Sequence, residues 1–293
     1  MKRINNPEDF GLSIRSHDCL EGQVPCLLVE PDGIAGAGKR GKLLRQQLAA
    51  KRVELTAYGQ VRGIVVLLHG RNGRKEDLLP VAERFVAAGF RCVLLDLPAH
   101  GDSPIESMSF GSSEFERQIP RRVLTEVKSQ FGLPDEPAVL WGLSMGGAFA
   151  VNAASEPNSD WDAVMVVSSF ASLEGVLESQ VSERWRPLVP LLLSLLDIER
   201  SLQHMPSISS IQPKAAAHKI TIPSLTVHGD QDHFVSTKQG DELYKSIVSK
   251  NKKWLTVKGA SHSNVLGTTM PLYAEMNEWL AQVLDENSAR NPE

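Results

Sequence analysis

The sequence predicts an α/β fold: a mostly parallel central sheet with helices on both faces. Three observations predict it. Six short apolar runs have the character of strands covered on both faces. Helix-length segments lie between those runs, so successive strands connect through right-handed crossovers. The 293 residues, 42% of them hydrophobic, are enough for a single domain over residues 1–293 with a sizeable core.

The elements follow in chain order. After a loosely patterned start, Val24 to Val29 is an apolar run and Gly33 to Gly38 a glycine-rich break. A short helix is expected over Leu43 to Ala50, and residues 1–52 read as an N-terminal extension of the sheet. Val53 to Tyr58 alternates apolar and polar residues, which predicts a half-exposed antiparallel edge strand ended by Gly59. The buried strands are Ile64 to Leu68, Cys92 to Leu95, Ala138 to Trp141, Val164 to Val167, Leu225 to Val227 and Trp254 to Val257. Helices fit Asp77 to Ala88, Ser113 to Phe131, Met145 to Ser155, Thr237 to Lys250 and Pro271 to Leu284. One interval, from Val167 to Leu225, is far longer than a single crossover needs. Residues 170–213 are therefore expected to hold an inserted lid or cap, with apolar content from Leu173 to Leu196, and Pro206 and Pro213 ending it.

Composition excludes several classes of function. A net charge of -4, from 31 basic and 35 acidic residues, supplies no global field for nucleic acid. Cys19, Cys26 and Cys92 cannot all pair and show no zinc spacing, so neither a disulfide scaffold nor a metal site is expected. The start of the chain has no apolar run behind its positive charges, and Leu188 to Leu196 is too short and too interrupted for a membrane span. A soluble, cytoplasmic protein is the expectation.

The chemistry-bearing motif is Gly142-Leu143-Ser144-Met145-Gly146, directly after one apolar strand and directly before a helix. A nucleophile on so sharp a turn needs small residues two positions to either side, where side chains would collide as the backbone doubles back. A serine hydroxyl also needs an imidazole to take its proton and a carboxylate to hold that imidazole. The loop after Leu225 to Val227 carries Asp230 and Asp232 within His228-Gly229-Asp230-Gln231-Asp232-His233-Phe234-Val235. The loop after Trp254 to Val257 carries His262. Ser144, a carboxylate and His262 then each follow a different strand, on the side where ligands meet such a sheet.

With these residues the chain resembles the α/β-hydrolase family, whose nucleophile, acid and histidine come in this order. The resemblance spans about Val53 to Leu284. His69-Gly70 looks like the family's oxyanion loop. Asp96-Leu97-Pro98-Ala99-His100-Gly101-Asp102-Ser103 is similar to its D-x-x-G-H-G-x-S turn, with Ala99 where glycine is usual. His228-Gly229-x-x-Asp232-x-x-Val235 resembles its acid loop and favours Asp232 over Asp230. The resemblance implies Ser144 as nucleophile, His262 as base and Asp232 as its orienting acid. The backbone N–H groups of Arg71 and Met145 would form the oxyanion hole. It also implies a carboxylic ester as the small-molecule substrate, and no cofactor. A serine aminopeptidase, a thioesterase and a catalytically silent binding protein are the alternatives. A peptidase would need an acidic cluster for a free amine, for which Glu174, Glu178 and Glu183 are the candidates.

Other signals are weaker. His69 and His100 suit turn-holding hydrogen bonds, His204 and His218 lie in no motif, and His17 is expected to be exposed. Arg71, Arg74 and Lys75 make the oxyanion loop basic, which would favour an acidic substrate. Gly33 to Arg40 nearly matches a phosphate loop, but Arg40 stands where a hydroxyl must ligate magnesium. Lys39, Arg40, Lys42, Arg45, Lys51 and Arg52 form a basic patch, more simply a solvated face than an anion site. His228 to His233 lacks the second histidine that a metallo-hydrolase motif requires.

Overall fold

The computed structural model describes residues 6–157, 160–203, 205–267 and 272–290. Its strands are β1 (Leu12–Cys19), β2 (Val24–Pro31), β3 (Ile64–Leu68), β4 (Arg91–Leu95), β5 (Ala138–Leu143), β6 (Ala163–Val167), β7 (Ser224–Gly229) and β8 (Lys252–Val257). They form one sheet in the order β1-β2-β4-β3-β5-β6-β7-β8. From β4 to β8 every neighbouring pair is parallel, whereas β1 and β2 form an antiparallel hairpin that joins the edge of β4. Helices α1 (Lys39–Ala50), α2 (Leu79–Ala87), α3 (Glu114–Phe131), α4 (Met145–Ala154), α5 (Leu173–Gln180), α6 (Val189–Leu202), α7 (Pro213–Ala217), α8 (Thr237–Ser246) and α9 (Leu272–Arg290) complete it.

The continuous apolar runs are explained by two cores. In β3, Val65 and Leu67 face a core shared with Leu44 of α1, Phe85 of α2 and Trp279 of α9. Ile64, Val66 and Leu68 face the other, with Ile119 of α3, Phe149 of α4 and Leu243 of α8. Burying one such side chain stabilises by about 1.5–3 kcal/mol, against about 0–1 kcal/mol for an exposed ion pair. Strand position is therefore set by the cores, and the loops at the strand ends are held where the strands leave them.

Three expectations need correction at the edges. Residues 53–58 are not a strand. Val53, Leu55 and Tyr58 do pack on the core, so the alternation is one of burial, but the backbone forms no ladder. Arg45 grips it, donating to the carbonyls of Thr56 at 2.8 Å and Ala87 at 2.9 Å. The antiparallel edge is instead β1, whose central residues Ser13 to Asp18 are too polar to stand out, and which is buried only at Leu12 and Cys19. His17, on this strand, is half-buried and bonded to Glu126 of α3 at 2.9 Å.

Helix limits also shift. α1 begins at Lys39, with Gly38 as its N-terminal boundary, so the glycine-rich break leads directly into it. Its basic side chains are largely engaged: Arg40 pairs with buried Glu83 at 2.6 Å, and Lys51 with Glu275 and Glu278 at 2.7 and 2.8 Å. α8 ends at Ser246 because Ile247 is extended. α9 runs beyond Leu284 to Arg290; its expected first residue, Pro271, and His204 lie outside the described residues. The interval between β6 and β7 holds α5, a 3-10 turn over Glu183–Leu188, α6 and α7. No helix among the described residues is long and apolar enough to cross a membrane.

Candidate active site

Ser144 sits between β5 and α4 with φ 51° and ψ -113°, a strained conformation for a residue with a side chain. Packing holds it there. A Cβ on Gly142 would lie 2.1 Å from the carbonyl oxygen of Gly146, and one on Gly146 would lie 2.2 Å from that of Leu68. Both glycines are thus required by close backbone approach. The Ser144 N–H donates to Val167 of β6 at 2.8 Å, and the Ser169 hydroxyl donates to the Ser144 carbonyl at 2.8 Å. Ser169 was not legible beforehand, since it lies 25 residues on and reaches the turn only through sheet order.

Three distant residues meet. The Ser144 Oγ lies 3.0 Å from His262 Nε2, and His262 Nδ1 lies 2.8 Å from Asp232 Oδ2. The second carboxylate oxygen of Asp232 accepts from the N–H groups of Val235 at 2.8 Å and Phe234 at 3.1 Å. The Asp232 side chain is fully buried. Burial by itself would push its carboxyl up, but the hydrogen bond and charge of His262, with the Val235 N–H, outweigh that and hold it below the usual carboxylate range. Asp230 does something else: it accepts from the Gly259 N–H at 2.7 Å, tying the acid loop to the histidine loop. The Gln231 N–H donates to Ala260 at 2.9 Å and adds to that tie.

Two more residues support the arrangement. His228 is wholly buried, its ring stacked on Trp254 with centroids 5.9 Å apart. Its Nε2–H donates to the carbonyl of Val235 at 2.9 Å, bracing the residue whose N–H holds Asp232. Burial pushes the His228 imidazole down, so it stays neutral and serves as a donor. The ring of Phe234 lies 5.0 Å from that of His262, centroid to centroid. His228 and Asp232 thus hold Val235 by its carbonyl and its N–H, while Asp230 holds Gly259.

On the opposite side, β3 ends at the start of α4. Leu68 and His69 press against Gly146, so the turn carrying Arg71 begins beside Met145, the first residue of α4 and a source of unpaired helix N–H groups. His69 donates from Nδ1 to Gly70 at 2.8 Å and accepts from the Leu97 N–H at 3.1 Å on Nε2, which fixes one neutral tautomer. Burial pushes this imidazole down as well. His100 donates from Nδ1 to Pro98 at 3.0 Å. Arg71 is exposed.

The basic character expected of this loop is mostly neutralised. Lys75 is buried and reaches Asp96 and Asp102, each at 2.7 Å, while Arg74 bonds Glu76 at 2.6 Å and Asp102 at 2.9 Å. Burial would lower the Lys75 ammonium, but Asp102 and Asp96 reverse this and keep it above its ordinary range. The cluster clamps the loop after β3 to the turn after β4. It leaves Arg71 as the one of the three basic side chains free of a carboxylate partner among the described residues.

The chain matches the family described as serine aminopeptidase, S33, over residues 59–210. A thermostable monoacylglycerol lipase of Bacillus sp. (strain H-257) is 23% identical over 226 residues, which are 72% of this chain and 87% of that protein. The monoglyceride lipase of Homo sapiens is 26% identical over 264 residues, 76% of this chain and 84% of that one. In fold, the chain is similar to the Pyrococcus furiosus esterase Pf2001, with a TM-score of 0.65 at 16% identity, covering 97% of each chain.

Proposed function

The chain belongs to the serine aminopeptidase S33 family of α/β-hydrolases, and from that premise we propose that it cleaves a carboxylic ester through an acyl-enzyme on Ser144. One observation carries the reading: the unbroken line from Ser144 Oγ through His262 to Asp232, with hydrogen bonds of 3.0 and 2.8 Å. Ser144 attacks the carbonyl carbon while His262 Nε2 takes its proton. Asp232 holds the Nδ1–H tautomer and stabilises the imidazolium that forms. The oxyanion is met by the N–H groups of Met145 and Arg71. His262 then hands its proton to the leaving alcohol, and a water, activated by the same nitrogen, releases the acid.

An ester rather than a peptide is supported by the relatives that are lipases and by the state of the three glutamates. Glu174 is half-buried at the start of α5, Glu178 is exposed, and Glu183 is 90% exposed and paired with Arg186 at 3.8 Å. They form no enclosed trap for a free amine. We assign residues 170–213 as a cap on the strand ends. Gln180 of α5 donates to the carbonyl of Phe234 at 2.8 Å, and Gln239 of α8 accepts from the N–H groups of Ala171 and Ser172 at 3.1 and 3.0 Å.

The test is a substrate panel on the wild type and Ser144→Ala: p-nitrophenyl acetate and butyrate, a thioester pair, and aminoacyl nitroanilides. Ester turnover that vanishes in the variant is the expected result, together with labelling by a fluorophosphonate. Preferential turnover of the nitroanilides would replace the ester reading with a peptidase, and preferential thioester turnover with a thioesterase. Failure to label would favour a silent binding protein.

A further inference from the structure

The hairpin of β1 and β2 brings together side chains that no spacing in the sequence associates. His17 stands opposite Cys26 in the ladder and Cys19 opposite Val24. Partners across a ladder share a face, and so do residues two apart along a strand. His17, Cys19 and Cys26 therefore share the face covered by α3, where both sulfurs are buried in one core cluster with Val123 and Val127. Glu126 of α3 completes the group. His17 Nε2 donates to one of its carboxylate oxygens at 2.9 Å, and the Leu20 N–H donates to the other at 2.9 Å. A ring nitrogen of His17, the sulfur of Cys19 and a carboxylate oxygen of Glu126 all lie within 4.8 Å of one another.

We infer that His17, Cys19 and Glu126 are three ligands of a divalent cation of the zinc class. The donors are those zinc takes: imidazole nitrogen, thiolate sulfur and carboxylate oxygen. Their charges suit it as well. One carboxylate and one thiolate cancel a divalent cation, so no net charge is left beside a sulfur that is wholly buried. The cation takes the place of the proton between His17 Nε2 and Glu126, the imidazole being bound as its Nδ1–H tautomer, and the Cys19 thiol releases one proton to solvent. The Leu20 N–H orients the carboxylate from behind. Entry is from the side of His17 and Glu126, whose side chains are 24% and 34% exposed. Contact with Cys26, and burial, push the Cys19 thiol above its ordinary range. It therefore keeps its proton until a cation displaces it and is a poor nucleophile meanwhile, which favours a ligand over a redox pair. The ion fastens the antiparallel edge of the sheet to α3. Its site shares no residue with Ser144, His262 or Asp232, so this inference is independent of the catalytic reading.

Calorimetric titration of Zn²⁺ into the full chain, reduced and stripped of metal by a chelator, tests it. One site per chain and one proton released per ion are expected. Zn²⁺ should also raise the melting temperature, because only the folded chain assembles the three ligands. His17→Gln and Cys19→Ala should each weaken binding by about 100-fold or more. Cys92→Ala, in the core on the opposite face of the sheet, should bind like wild type. Co²⁺ in place of Zn²⁺ should show the near-ultraviolet absorption of a sulfur–cobalt bond. Should Cys19→Ala fail to fold, that spectrum and the half-exposed His17→Gln still decide the matter. No binding at about 100 µM Zn²⁺ overturns the inference, since thiolate sites hold zinc far more tightly. Wild-type affinity in both His17→Gln and Cys19→Ala overturns it too, because the ion then sits elsewhere. So does a disulfide between Cys19 and Cys26 in a chain whose reduced form takes up no zinc, which would make the thiols a redox pair.

Discussion

In the proposed mechanism Asp232 faces two demands at once, because the carboxylate that would orient His262 must stay ionised while fully buried. Two backbone N–H donors and the imidazole meet that cost, and His228 fixes the carbonyl beyond them. Asp232→Asn keeps the size and removes the charge, so His262 loses its preference for the productive tautomer. A fall in kcat of about 10⁴-fold is expected, by analogy with the same change in another triad, measured on whichever ester the panel selects. The same group also links stability to pH. Its folded carboxyl lies below the ordinary value of about 3.9. Its contribution is therefore complete above that value and is lost as pH falls through the lower folded one. Urea unfolding midpoints between about pH 5 and pH 3 should fall more steeply for wild type than for Asp232→Asn. Parallel slopes would mean that the carboxyl is not held down.

At the scale of elements, turns at the strand ends decide where the site residues stand. Ala99, in the turn after β4, has φ 61° and is exposed, in the region where a Cβ costs about 1–2 kcal/mol. Glycine gives back about 0.4–1 kcal/mol of that through the freedom of the unfolded chain. Ala99→Gly should therefore raise stability by about 0.5–1 kcal/mol, seen as a melting temperature a few degrees higher. The clamp below it has the opposite sensitivity. Lys75→Met leaves Asp96 buried with two N–H donors and no cation, and a loss of about 3–5 kcal/mol is expected by urea titration. Adding Asp96→Asn should recover part of it. A negligible loss for the single variant would show that the N–H groups alone satisfy Asp96. These turns also mark how far the sequence was legible. The strands β3 to β7 and the Gly142 to Gly146 elbow announce themselves, because burial on both faces and a backbone reversal each demand particular residue types in an unbroken row; the run Trp254 to Val257 looks the same, yet β8 is an edge strand buried only at Val257. β1, polar at its centre, does not, and residues 53–58 mimic a strand by burial alone. Ser169 and Phe234 have no local signal, since each acts across a gap in sequence that only the order of strands closes.

On the scale of the whole molecule, the proposed insertion packs in two ways: Phe170, Val176 and Ile211 join Ala148 and Val235 of the body, while its outer part packs on itself. Val189, Leu193 and Ile208 form a cluster of their own, with Leu173, Leu177, Val181 and Leu196 against it, separate from the two cores on either face of the sheet. Such satellite clusters add little to the cooperative unfolding of a body whose strands carry their own burial. Ser144, Asp232 and His262 all stand on loops of that body. Replacing residues 182–206 with a short Gly-Ser linker should therefore leave a folded protein whose main thermal transition moves by only a few degrees. Turnover of p-nitrophenyl acetate should persist, because none of the proposed groups, Ser144, Asp232, His262 and the N–H groups of Arg71 and Met145, lies in the removed piece. If the insertion caps the site, discrimination between acetate and longer acyl esters should shrink in kcat/KM, because the surface that holds the chain is gone while the chemistry stays. Loss of acetate turnover in a folded variant would mean that the insertion orders the acid loop, through the bond from Gln180 to Phe234. Gln180→Ala, made in the otherwise intact chain, should then reproduce that loss.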